Sequence, residues 1–139
     1  MLNDLIERAF PTREGKKYKN TRTLHNVVHY LMEKITERPR DEEDLYEKVL
    51  SLGYSSSIYL SVRNFLIAYF FPEKCPDPAP LRELLQQENP ISVNKIYYTL
   101  GMEKWKIARM IYRACIEDGA IRMILDPYDG KMVLKEERK

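Results

Sequence analysis

Across residues 81–134 the interval at which apolar side chains recur changes once, at Gly119, and that change limits the folds open to the chain more than any other feature. Before it, apolar residues fall at helical steps in three short runs. After it, residues 120–125 and 131–134 are aliphatic and β-branched, and the intervening Asp126-Pro127-Tyr128-Asp129-Gly130 has the chemistry of a hairpin turn. A helix and a strand present their faces at different periods, so one run cannot serve as both. The order predicted is helix, helix, helix, hairpin. Leu81, Leu84 and Leu85 form the stripe of the first helix, which ends near Asn89-Pro90, and Ile91 is expected as a short strand stub. Ser92 caps a second helix with Val93, Ile96, Tyr97 and Leu100 inward, and Gly101 stops it. The third runs from about residue 103 to 118 with Ile107, Met110, Ile111, Ala114 and Cys115 at core spacing, and Gly119 closes it.

A second constraint precedes this stretch. PEKCPDPAP, residues 72–80, carries four prolines in nine positions, and each removes a backbone donor and biases its predecessor away from helix. The chain is thereby divided into a helical unit over residues 1–71, a Pro-rich linker over 72–80 and a C-terminal unit over 81–139. In the first unit a short helix spans residues 2–9, and the polar stretch 11–23 is read as a loop or an arm. Leu24, Val27, Val28, Leu31 and Ile35 mark a helix that stops at Arg38-Pro39. Asp41 caps another, with Leu45, Val49, Leu50 and Leu52 inward and Gly53 as its left-handed stop. Ser55, Ser56 and Ser57 open a third, whose broad stripe of Ile58, Val62, Phe65, Leu66 and Tyr69 predicts burial. Helix, Gly turn, helix thus occurs in both halves, and tandem helix-turn-helix units are an alternative organisation, although no residue string is shared between them.

The run GMEKWKIARMIYRACIEDGAIRMILDPYDGKMVL resembles the turn, third helix and wing of the winged helix-turn-helix superfamily. The matching positions are Gly101 at the turn, Ile107 and Ile111 on the inner face of the third helix, Glu117-Asp118-Gly119-Ala120-Ile121 entering the wing, and Asp129-Gly130 at its tip. The fold class expected is mainly α: a helical N-terminal unit followed by a winged helix-turn-helix with a small β-hairpin wing. In members that bind DNA, the third helix enters the major groove and the wing meets the flanking backbone. This requires outward donors on one helical face. Lys104, Trp105, Lys106, Arg109, Tyr112 and Arg113 fall away from the core stripe, with Lys106, Arg109 and Arg113 related by steps of three and four. Arg122, Tyr128 and Lys131 on the hairpin and Lys95 on the second helix extend this footprint.

Net charge is only +2, so composition alone does not argue for nucleic acid. Distribution says more. Arg13, Lys16, Lys17, Lys19 and Arg22 make the densest positive run, with the makeup of an arm that tracks phosphates or of a solvated loop, while Asp41, Glu42, Glu43, Asp44 and Glu47 cluster downstream. Cys75 and Cys115 read as a loop and a core thiol, and His25 and His29, four residues apart, have no third ligand placed with them. No nucleophile elbow, Gly-rich phosphate loop or paired carboxylates are present. No enzyme activity, cofactor or metal is therefore expected, and an intracellular, cytoplasmic location follows from the lack of a leader or a long apolar run.

The leading expectation is a DNA-binding transcription regulator that acts by occupying a site on double-stranded DNA as a homodimer, with the aromatic-rich helix of the first unit (Tyr59, Phe65, Tyr69, Phe70, Phe71) as a candidate for pairing two chains. The alternative is a winged-helix protein-interaction or assembly module without direct DNA binding, for which Trp105 and Tyr112 beside arginines suit an interface. Binding to RNA or a single strand through the same aromatics is a third reading. The surface around the third helix separates them. A continuous positive face favours DNA, and an aromatic patch bordered by mixed charge favours protein.

Overall fold

The computed structural model describes residues 2–11 and 19–138. Seven α-helices are found among them: α1 (Leu2–Ala9), α2 (Lys19–Lys34), α3 (Glu42–Ser51), α4 (Ser56–Phe70), α5 (Ala79–Gln87), α6 (Val93–Leu100) and α7 (Lys104–Glu117). Strands β1 (Ile91–Ser92), β2 (Ile121–Leu125) and β3 (Met132–Glu136) form an antiparallel sheet in the order β1-β3-β2. The chain is thus mainly helical, with its small sheet at the C-terminal end.

The helix ends follow from their caps. Asp41 accepts a hydrogen bond from the Asp44 amide at 2.8 Å and starts α3, and Ser55 accepts from Ile58 at 3.3 Å to start α4. Ser92 does the same for α6. Gly101, at φ 62°, takes the left-handed conformation that ends α6 and turns the chain into α7. At one point the expected boundary is wrong. The polar stretch read as a loop or arm over residues 11–23 is already helical from Lys19, so Lys19 and Arg22 belong to the first turns of α2. The weak apolar pattern before Leu24 hid that start. Lys16 and Lys17 lie outside the described residues.

The hairpin is pinned in register by Met123 opposite Leu134 and Ile124 opposite Val133, while Ile91 also faces Leu134 from the other side. Its turn is built on Asp126, whose carboxylate accepts from the Tyr128 amide at 2.8 Å and whose carbonyl accepts from Gly130 at 2.8 Å. β3 runs two residues beyond the expected Leu134. Asn89 explains the extension: its side-chain amide donates to the Glu136 carbonyl at 2.8 Å and accepts from the Glu136 amide at 2.9 Å, acting as one more residue of β1.

Two groups of buried side chains fill the interior. The first includes Ile6, Val28, Leu31, Leu45, Val49, Phe65, Leu66 and Phe71; the second includes Leu81, Leu85, Ile91, Ile96, Ile107, Ile111, Cys115 and Leu134. They change over between Cys75 and Leu81, within the proline-rich segment. Helix α7 joins them. Ile107, Met110, Ile111, Ala114 and Cys115 lie in the second group, whereas Ile116 packs on the first and Tyr112 packs on both. Phe10, Phe65 and Tyr112 interlock there, with ring centroids 5.0 to 5.7 Å apart. Each such ring removed from water contributes about 1.5–3 kcal/mol, so the seam between α1, α4 and α7 is a substantial part of the core.

Candidate interaction surface

The side of α7 expected to face a partner divides into a covered part and an exposed part. Arg109, expected as a groove reader, is only 6% exposed. Its Nε donates to the side-chain oxygen of Asn64 on α4 at 3.0 Å, its Nη1 lies 3.6 Å from the Glu42 carboxylate on α3, and its guanidinium stacks over the Trp105 ring at 4.6 Å. Tyr112 is packed between Phe10 and Phe65, and burial pushes its phenol pKa upward. Arg113 is half-buried and donates to Glu117 at 2.7 Å and to the Cys75 carbonyl at 3.0 Å. That hydrogen bond to Glu117 is the main reason its pKa is raised.

These placements correct the expectation that all six positions look outward. Helical spacing separates two faces of α7, but a charged or aromatic face turns outward only if nothing else in the chain covers it. Here α1 and α4 do. The first-unit helix is corrected in the same way: Tyr59, Phe65, Phe70 and Phe71 fill the chain's own core, and Tyr69 alone of that aromatic set is exposed. The helices that would serve as third helices in two tandem units, α4 and α7, bury their faces against each other.

Lys104 and Trp105 in the first turn of α7 are exposed, and Lys106 is half-exposed, near Glu103 at 3.8 Å and over the Trp105 ring. Lys95 is exposed and paired to Glu88. Lys131 is exposed and Tyr128, at the hairpin tip, is 96% exposed. Arg122 is half-buried on β2, directly across from Lys135, which is itself near Glu137. Lys95, Lys106 and Lys135 thus lie beside carboxylates, and the charge of this surface is mixed.

The exposed part also carries large apolar side chains. Tyr98 is 90% exposed and lines a shallow cleft with Asn94, Tyr97, Met102 and Lys104 at the α6–α7 turn. Trp105 lies one turn on and lines a second cleft with Glu42, Leu60, Arg63, Asn64 and Arg109. Sequence reasoning missed Tyr98, Met102 and Leu60. Tyr98 follows Tyr97 on a helix whose inward positions are 93, 96, 97 and 100, so its outward direction was available as a signal. Leu60 lies off the stripe of α4, and the importance of both residues depends on a tertiary neighbour.

Elsewhere, His29 lies 3.3 Å from Glu33 and burial lowers the pKa of His25, the largest influence on that group. No set of three metal-ligating residues is gathered among the described residues, and none of their helices is long and apolar enough to cross a membrane. Both cysteines are buried and unpaired. The chain matches no family model, and comparison with curated proteins and with solved structures likewise returns no match.

Proposed function

We propose that residues 79–136 form a winged helix-turn-helix module, that the chain acts by binding rather than by catalysis, and that its partner is a protein. The order of elements supports the first part: three helices with a glycine-ended turn before the third, a two-residue strand between the first and second, and a hairpin that completes the sheet. One observation carries the rest. The middle of the α7 face that would lie in a major groove is covered by the chain's own α1, α3 and α4, with Arg109 held by Glu42, Asn64 and Trp105. A groove-reading helix needs its donors free to reach base edges, and Arg109 and Arg113 are turned instead to the chain's own residues. The exposed Tyr98, Met102, Trp105 and Leu60, bordered by cations and carboxylates, match the aromatic-rich composition of protein interfaces.

A second reading rests on the first turn of α7 and the hairpin. Lys104, Lys106 and Lys131 remain at the surface, and with Lys95 and Tyr128 they offer phosphate contacts without deep insertion. One experiment separates the two. With a photoreactive phenylalanine analogue in place of Tyr98, irradiation in the source cell extract is expected to give crosslinks to protein that disappear when Trp105→Ala is added. Crosslinks removed by nuclease would favour DNA and reject the protein reading. A crosslink between two copies of the chain would identify the partner as the chain itself.

A further inference from the structure

The cleft between α3, α4 and α7 is open to solvent, has a volume of about 500 Å³ and is lined by Glu42, Leu60, Arg63, Asn64, Trp105 and Arg109. That is a size at which protein clefts hold small organic groups. Two guanidiniums share one carboxylate in it: Glu42 Oε2 is 3.6 Å from Arg63 Nη2, and Glu42 Oε1 is 3.6 Å from Arg109 Nη1. Both separations exceed a hydrogen bond, so Glu42 balances charge without using up the donors. A guanidinium carries five N–H groups in a planar fork. Arg109 gives its Nε to Asn64, whereas the Nε of Arg63 is shut away from solvent with no hydrogen-bond partner among the described residues.

We infer that this cleft binds a carboxylate carried on an apolar body. Two arginines and one glutamate leave one net positive charge, which a single carboxylate neutralises, and the two terminal nitrogens of Arg63, whose side chain is 40% exposed, fit its two oxygens. A phosphate monoester, carrying close to two negative charges beside Glu42, overfills the site. The apolar body is accounted for by Leu60, 64% exposed, and Trp105, 43% exposed, which both line the cleft. A free organic acid and an acidic residue flanked by apolar ones in a partner both present this group. The cleft shares Leu60 and Trp105 with the surface proposed above to meet a protein, and the titration separates the two sources.

Trp105 is the chain's single tryptophan, so intrinsic fluorescence reports on this cleft. The full chain is titrated with hexanoate, hexanamide, hexyl phosphate and an end-blocked peptide with one aspartate between leucines. A saturable change is expected with a carboxylate ligand, none with the amide, and binding of the phosphate weaker by about tenfold or more. Tighter binding of the peptide assigns the site to a protein partner, and tighter binding of hexanoate assigns it to a small acid. Arg63→Gln is expected to weaken the carboxylate by about tenfold or more. The inference is overturned by the absence of a saturable response to either carboxylate, by an equal response to hexanamide, by phosphate binding as tightly as carboxylate, or by unchanged affinity in Arg63→Gln. Should that variant fail to keep its helical circular dichroism, Leu60→Asp at an exposed position decides instead. Its added negative charge in the cleft is expected to repel the ligand, and unchanged affinity overturns the inference.

Discussion

Arg109 shows how far a single residue can depart from its apparent role. By spacing it belongs to the outer side of α7, yet it is nearly buried, with its Nε on Asn64, 45 positions earlier in the chain, and its charge beside Glu42. Truncation leaves the half-buried Asn64 oxygen without its donor and Glu42 with Arg63 as its remaining cation, which costs about 1–3 kcal/mol. Arg109→Ala is therefore expected to lower the urea midpoint clearly. A groove-reading arginine would leave that midpoint unchanged and alter only DNA binding, so equilibrium unfolding of this one variant separates the roles. The thiols offer a second residue-scale expectation. Burial pushes Cys115 up to about 12 and also raises Cys75, so neither is a thiolate near neutral pH. The folded protein is expected to react slowly with a disulfide reagent and to release both thiols once unfolded in guanidinium. Fast reaction of the native chain at pH 7 would show that the α7 interior opens.

At the scale of elements, the readable features are those with local causes. Asp41, Ser55 and Ser92 cap helices through amides three residues on, and Gly101 adopts a conformation that side chains resist, so each left a mark in the sequence itself. Gly101→Ala is a clean test, because a Cβ there meets nothing within 4 Å and its cost is conformational alone. A loss of about 1–2 kcal/mol is expected in thermal or urea unfolding, and none would mean that the α6–α7 turn relaxes without the left-handed residue. Features whose cause is distant were not readable. Asn89 completes the β1–β3 ladder through Glu136, 47 positions away, and nothing about an asparagine before a proline announces that. Asn89→Ala leaves a backbone amide and a carbonyl of β3 unpaired, and a loss of about 1–3 kcal/mol with fraying of the hairpin in amide exchange is expected. An unchanged exchange pattern at Glu136 would show that water replaces the side chain at no cost.

For the whole molecule, the consequence is that the two units suggested by the prolines share one helix. Separate units would each keep α7's faces for themselves or for a partner. Instead Ile107 and Ile111 lie in the C-terminal core while Tyr112 and Ile116 seal the N-terminal one, and Arg8 of α1 donates to the Cys115 carbonyl at 3.1 Å near the end of the same helix. Periodicity does not reveal this sharing, because it assigns a helix one buried face and treats the remainder as surface. Once both faces are engaged, neither unit can unfold without exposing the apolar side that the other covers. Urea unfolding followed by Trp105 fluorescence, which reports on the α3–α4–α7 junction, is expected to coincide with unfolding followed by far-ultraviolet circular dichroism, which reports on all the helices. Tyr112→Ala removes the ring that stacks on Phe10 and Phe65, and a loss of about 3–5 kcal/mol is expected to shift both curves together. If the two curves separate in the wild type, or if Tyr112→Ala moves only one of them, the units are independent domains. The outer face of α7 would then be open to a partner after all.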